Sequence, residues 1–345
     1  MTLPLRTPHD LVEAKLASPE DLDVLKAVAA RYAVSITPAL ADLVDVADPH
    51  DPIARQFVPR AEELEVRPED LADPIGDEAH SPVDGIVHRY PDRVLLKPVH
   101  VCAVYCRFCF RRESVGPGKT EALSPAALAR ALDYIRSRPE IWEVILSGGD
   151  PLVMSPRRLA AITEALSGIE HVRIVRVHTR LPVADPGRIT PELVDALKAP
   201  GMATWLVLHA NHARELTPAA RAACARIVEA GIPMLSQSVL LRGVNDDEAS
   251  LEALMRALVE NRIKPYYLHH GDLAPGTSHL RTSVAEGRTL MRAMRGRVSG
   301  LAQPTYVLDI PGGHGKSPIG PSYLGEAGGA AIVEDWRGQR HRYEE

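Results

Sequence analysis

The sequence predicts an α/β fold, a parallel sheet covered by helices, and three observations predict it. From Arg93 onward, short apolar runs alternate with helical patterns. The runs are nearly continuous in apolar residues and do not alternate, as expected of strands covered on both faces. The helical patterns begin and end on residues suited to capping. Repeated units of this kind build either a doubly wound sheet or a barrel. The chain has 345 residues, 45% of them apolar and 4% aromatic, enough to bury a sizeable core as two domains or as one barrel-sized domain.

In chain order the strand candidates are "RVLLKPV", "EVILSGG", "VRIVRVHT", "TWLVLHA", "MLSQSVLL", "KPYYLHH" and "TYVLDIP". The helical patterns between them are "SPAALARALDYIRS", "SPRRLAAITEALSG", "TPELVDALKAPG", "TPAARAACARIVEAG", "DEASLEALMRALVEN" and "SVAEGRTLMRAMRGRVSG". Four of these open with Ser-Pro or Thr-Pro, at Ser124, Ser155, Thr190 and Thr217. There the hydroxyl can cap free N–H groups and proline takes the first helical position. Gly168, Gly201, Gly231 and Gly300 follow helical patterns and are the expected C-terminal stops. The first ninety or so residues differ: helical patterns such as "DLDVLKAVAARYA" give way to the Pro- and acid-rich "RAEELEVRPEDLADPIGDEAHSPVDGI". The last residues, ending "DWRGQRHRYEE", are too short for another domain.

A net charge of −5 and a pI near 6.3 give no general attraction to nucleic acid or anionic membranes. The N-terminus "MTLPLRTPHDLVEAKL" has no signal-like segment, and no run reaches the roughly 18 apolar residues of a membrane span. A soluble cytoplasmic protein with no membrane or nucleic-acid partner is expected. Four cysteines in a chain this long are no disulfide framework, and clustered thiols in a reducing compartment point to metal or catalysis.

Three of the four, Cys102, Cys106 and Cys109, lie in "VHVCAVYCRFCFRRES", just after the first strand candidate, and Cys224 lies far away. That places them on a βα loop, where barrels of this class build their active sites. A structural zinc site needs four ligands, and no second Cys-x2-Cys or His-x3-His pair exists. Three thiolates on a four-iron cluster leave one iron open to another ligand. A second constellation is "VLDIPGGHGKSPIGP". Its Gly315-Lys316-Ser317 matches the end of a phosphate-binding P-loop, but the leading glycine position is Ile310. A lysine on a glycine-rich turn after a strand can instead bond to a carbonyl cofactor such as pyridoxal phosphate (PLP).

Cys-x3-Cys-x2-Cys with Phe108 before the last cysteine resembles the signature of the radical S-adenosylmethionine (SAM) enzymes. The resemblance implies a partial parallel (β/α) barrel and a 4Fe-4S cluster held by Cys102, Cys106 and Cys109, whose open iron takes SAM. "LSGGDPL" resembles that family's Gly-Gly-Asp turn, implying SAM contacts from Ser147, Gly148, Gly149 and Asp150, with Phe108 near the adenine.

The ordered set "HRYPDRVLL", the cysteine motif, "LSGGDPL", "RLPV", "QSVLLRGVND", "PYYLHHGDL" and "DIPGGHGK" is similar to lysine 2,3-aminomutase and its relatives over roughly residues 85 to 320. That resemblance implies an isomerase that moves the α-amino group of L-lysine to the β-carbon. Lys316 would carry PLP, with Arg89 and Arg93 near its phosphate, Tyr90 near its ring and Gln237 as a further contact. Arg111 would receive the substrate's α-carboxylate, and Asp272 and Asp309 its ε-ammonium, since burying either charge unpaired costs several kcal/mol. Two carboxylates argue against glutamate as substrate, whereas arginine would fit them.

The same resemblance divides the chain into an N-terminal helical extension (1–92), the partial barrel (93–310) and a PLP-lysine loop with a short C-terminal segment (311–345). It further implies an electron donor of the flavodoxin or ferredoxin type, and we expect a homo-oligomer. Longer relatives carry clustered cysteines beyond the PLP lysine that bind zinc. This chain has no cysteine beyond Cys224, so no structural zinc site is expected. In length it is closer to the branch that supplies β-lysine for elongation factor P, an alternative use of the product.

Overall fold

A computed structural model describes residues 3–116 and 121–344. Nine strands form one sheet: β1 Ile86–Tyr90, β2 Arg93–Val99, β3 Glu143–Gly148, β4 Ile174–Thr179, β5 Ala203–His209, β6 Met234–Val239, β7 Ile263–His269, β8 Thr305–Ile310 and β9 Gly315–Pro318. Strands β2 to β8 are parallel neighbours, and β1 and β9 pair antiparallel at the two ends. Sheet order equals chain order, so every crossover steps the same way round. A doubly wound sheet reverses its order partway, so this sheet curls into a partial barrel instead. All seven strand candidates are present, within two residues at each end.

The crossover helices are Pro125–Arg136, Pro156–Ser167, Pro191–Asp195, Pro218–Glu229, Glu248–Glu260 and Val284–Met294. Ser124, Ser155, Thr190 and Thr217 each accept a backbone N–H three residues on, so the four expected caps are in place. Gly168 is a C-cap, and Gly201 and Gly231 take positive φ after their helices. Gly300 is a correction: the last helix stops at Met294, Gly296 takes the left-handed turn at φ 82°, and Gly300 opens a short 3-10 turn.

The two faces of the curled sheet differ. Val94, Leu96, Val144, Leu146, Val175, Val177, Leu206 and Leu208 point outward and pack on Ala131, Ile135, Leu159, Ile162, Ile227 and Leu254. The inner face carries Arg176, His178, His209, Gln237, Tyr267 and His269, so the barrel encloses a cavity that polar side chains enter and not a filled core.

The N-terminal region consists of the helices Pro8–Glu13, Leu22–Arg31, Pro38–Ala41 and Pro52–Phe57 with 3-10 turns between and after them. Its own apolar cluster, including Leu11, Ile36, Leu40, Ile53 and Phe57, takes in Val104 of the cysteine loop and Ala184. Strand β1 already belongs to the barrel sheet, ahead of the expected boundary at residue 93. At the C-terminus, β10 Leu324–Ala327, β11 Ala330–Glu334 and β12 Arg340–Tyr343 form a small separate antiparallel sheet that no sequence signal announced. Among the described residues no helix is long and apolar enough to cross a membrane.

Candidate active site

A cavity of about 730 Å³ fills the inside of the curl. Every side chain singled out in the sequence lines it: Cys102, Cys106, Phe108, Cys109 and Arg111 from the loop after β2, Ser147 to Asp150 after β3, and Gln237 on β6. Arg89, Tyr90 and Arg93 reach it from the first two strands, Asp272 from the loop after β7, and Asp309 and Lys316 from β8 and β9.

The cysteine loop is fastened to the N-terminal region by backbone and charge. Ser35 Oγ donates to the Ala103 carbonyl at 2.9 Å, the Tyr105 N–H to Ser35 O at 3.1 Å and the Arg107 N–H to Gln56 O at 2.8 Å. Beneath the loop, Glu63 is fully buried and receives Arg107 Nε at 2.9 Å, Arg107 Nη2 at 2.5 Å and Arg112 Nη2. Arg112 also donates to Gly276 O at 2.9 Å and lies over the Tyr32 ring. Burial raises the free thiols: Cys102 well above its usual value, Cys106 to about 11 and Cys109 upward, with Asp150 adding to the rise at Cys102. The Arg180 guanidinium opposes that rise at Cys106. Arg180 is in turn held by the buried Glu215 at 2.5 Å, and its guanidinium lies 5.4 Å from the Phe108 ring centre.

The Gly-Gly-Asp turn is locked onto the same loop. The Gly149 and Asp150 N–H groups donate to Val99 O and Val101 O at 2.8 and 3.0 Å. A Cβ on Gly149 would lie 2.3 Å from Val101 O, and Gly148 has φ 99°, so only glycine fits at both positions. The Asp150 carboxylate faces away from any ligand role: it accepts from the Thr179 hydroxyl at 2.7 Å, Arg180 N at 2.8 Å and Leu152 N at 3.0 Å. Burial raises its carboxyl despite those donors. Asp150 ties the end of β3 to the end of β4, leaving backbone atoms of the turn at the cavity.

Opposite, Lys316 stands across from Asp309 in the β8–β9 register, and its Nζ donates to both Asp309 oxygens at 2.7 and 2.9 Å. Burial pushes the Asp309 carboxyl up, but His269 and Lys316 outweigh it and hold it well below the usual range. Burial and the neighbouring Asp309 charge push Asp272 up to about 7. The Lys316 N–H donates to Tyr90 Oη at 2.7 Å, a bond between the two ends of the sheet. Arg93 lies 4.0 Å from the Tyr90 ring centre and donates to Asp92 at 2.6 Å. Arg111 is paired with Asp77, which the sequence reading did not single out.

The sequence reading also missed His178, His209 and His269. The signal was present, because each sits at the last or second-last residue of its strand, in "VHT", "LHA" and "LHH", where a parallel barrel presents side chains to its site. Burial lowers all three, His209 to about 3, and the Nε2 atoms of His178 and His209 have no partner among the described residues.

The residues fit the three groups expected. Three thiols face one cavity while Cys224 is buried in the helix Pro218–Glu229, matching a cluster with one open iron. The Gly148-Gly149 backbone and the unpartnered histidines offer polar contacts in the same cavity. Lys316 Nζ, in a cavity that Arg89 and Arg93 also line, suits a phosphate-bearing aldehyde.

Residues 96–254 match the radical SAM superfamily and residues 291–345 match the family described as Lysine-2,3-aminomutase. L-lysine 2,3-aminomutase of Clostridium subterminale is 42% identical over 90% of this chain and 75% of its own. That of Acetoanaerobium sticklandii is 39% identical over 99% and 82%. Glutamate 2,3-aminomutase of Clostridioides difficile is 37% identical over 93% and 75%.

Proposed function

The chain belongs to the lysine 2,3-aminomutase family of radical SAM isomerases, and we propose that it converts L-lysine to β-lysine. The observation that carries the substrate choice is the set of charges that line one cavity with Lys316: the Arg111 guanidinium and the Asp272 and Asp309 carboxylates. When bound, the 4Fe-4S cluster with SAM supplies a 5′-deoxyadenosyl radical, and PLP supplies an aldehyde and a ring that delocalises an unpaired electron.

In this reading Cys102, Cys106 and Cys109 hold the cluster, and the Ser147 to Asp150 turn and Phe108 border SAM. Arg89, Arg93, Tyr90 and Gln237 surround PLP. Lys316 would hold PLP through Nζ. Asp309, which accepts from Lys316 Nζ at 2.7 Å, would contribute one carboxylate to the subsite for the substrate's ε-ammonium. Asp272 completes that subsite when ionised. Arg111 takes the α-carboxylate, for which a planar guanidinium offers paired donors.

The glutamate-acting relative motivates a second reading, a mutase for another amino acid. Two carboxylates would repel a γ-carboxylate, so arginine, whose guanidinium suits them, is the stronger competitor. The test is to reconstitute the cluster anaerobically, add SAM, PLP, a strong reductant and L-lysine, and look for β-lysine. No product from lysine, with turnover of arginine or glutamate, overturns the substrate assignment. Cytoplasmic location, a flavodoxin- or ferredoxin-type donor and homo-oligomerisation belong to the same proposal. Supply of β-lysine to elongation factor P is the alternative use of the product.

A further inference from the structure

Asp77 lies in the Pro- and acid-rich stretch before the barrel, yet its carboxylate reaches the site. It is 7% exposed. One oxygen, Oδ2, accepts Arg111 Nε at 2.9 Å and lies 2.9 Å from Arg111 Nη2. The other, Oδ1, accepts Arg89 Nη2 at 3.3 Å. Arg89 is steadied further by donating to Ile75 O at 2.6 Å. Burial pushes the Asp77 carboxyl up, and Arg111, Lys97 and Arg89 outweigh that and hold it below its usual range.

The local chain is built to present this carboxylate. Asp73 accepts the N–H groups of Asp77 and Glu78 at 2.8 Å each, and Ser81 Oγ donates to Asp77 O at 2.7 Å. Gly76, at φ 68°, presses so closely on the Gly312-Gly313 backbone that a Cβ there would lie 2.5 Å from Gly313 N. The segment is thus fixed to the turn that carries Lys316. None of these bonds uses the Asp77 side chain, so the carboxylate can be altered without removing them.

A guanidinium has two edges able to bind a carboxylate. Asp77 occupies the Nε–Nη2 edge of Arg111, and among the described residues Nη1 makes one long contact, 3.5 Å to Ser147 Oγ. We infer that Asp77 is a positioning residue that grips Arg111 by its inner edge and turns the outer edge toward the substrate's α-carboxylate. Through its other oxygen it also holds Arg89, so one carboxylate ties the two guanidinium groups together. The inference rests on the reading of Arg111 as the carboxylate-binding residue.

The experiment measures binding to PLP-loaded, cluster-reconstituted protein by the change in PLP absorbance, with two ligands. L-lysine carries the α-carboxylate, and 1,5-diaminopentane is the same chain without it. Asp77→Asn is expected to weaken lysine about tenfold and leave the diamine unchanged. Combined with Arg111→Lys, it is expected to add almost nothing further, because both changes remove one interaction. Equal weakening of both ligands, or effects that add in the double variant, overturns the inference and makes Asp77 a general structural acid. If Arg111→Lys alone weakens both ligands alike or neither, the Arg111 reading itself fails, and that outcome is separate from failure at Asp77. Should Asp77→Asn not fold, Asp77→Glu moves the charge by one methylene and is read the same way. A loss confined to lysine supports the inference, and an equal loss overturns it.

Discussion

The cysteine loop and the Lys316 turn face each other across one cavity, but they are held in opposite ways. The loop is bonded to the N-terminal region through backbone groups and a buried carboxylate with two arginines. The Lys316 turn is the edge strand β9, held by its pairing with β8, by Tyr90 and by an ion pair in which Lys316 itself takes part. The difference matches what each must do. Three thiols can share one cluster only if their spacing is fixed, whereas a lysine that bonds to a cofactor must change partners during turnover.

The comparison is broken most severely by removing the defining atom on either side. Cys106→Ala is expected to abolish the broad cluster absorbance and SAM cleavage while leaving a PLP band. Lys316→Ala is expected to lose that band and all lysine turnover while keeping the cluster and some SAM cleavage. Loss of both cofactors in either variant would show that the two sides are not independent.

Next in size is Glu63→Ala, which strands two buried guanidinium groups under the cysteine loop. About 3–5 kcal/mol of stability is expected to go, seen as a lower thermal midpoint and poor iron loading. A variant with normal iron content would mean that the clamp does not fix the loop. A smaller effect concerns pH. Asp272 titrates at about 7, raised by burial and by Asp309, and a cation binds its ionised form. The KM for lysine should therefore fall as pH rises through 7, and Asp272→Asn should raise KM and flatten that dependence. The smallest is Tyr90→Phe, which removes one hydrogen bond to the Lys316 backbone. About 1 kcal/mol is expected, read as a few-fold lower PLP occupancy with unchanged iron.

Much of the site was legible because its residues are clustered along the chain. The spacing of Cys102, Cys106 and Cys109, the turn after "EVILS" and the lysine after "DIPGGHG" each carry their chemistry within a few residues. Asp77 and Glu63 were not legible, because an acid in "RAEELEVRPEDLADPIGDEAH" looks like a solvated residue until folding buries it beside arginines, and Glu215 in "NHARELTP" was hidden in the same way. The inner-face histidines were hidden differently: their strands read as apolar runs, and only the curl of the sheet turns alternate side chains toward a cavity.

The sequence alone determined the βα alternation, the capped helices and the kinds of chemical group present, since these follow from local periodicity and side-chain chemistry. The direction of curl, the polar interior and the pairing of Asp77 with Arg111 and of Glu63 with Arg107 and Arg112 were decided by the tertiary structure. Those contacts join residues 34 to 49 positions apart, or depend on which face of a strand looks inward. Local sequence has no means of specifying either, because both depend on how the whole sheet closes.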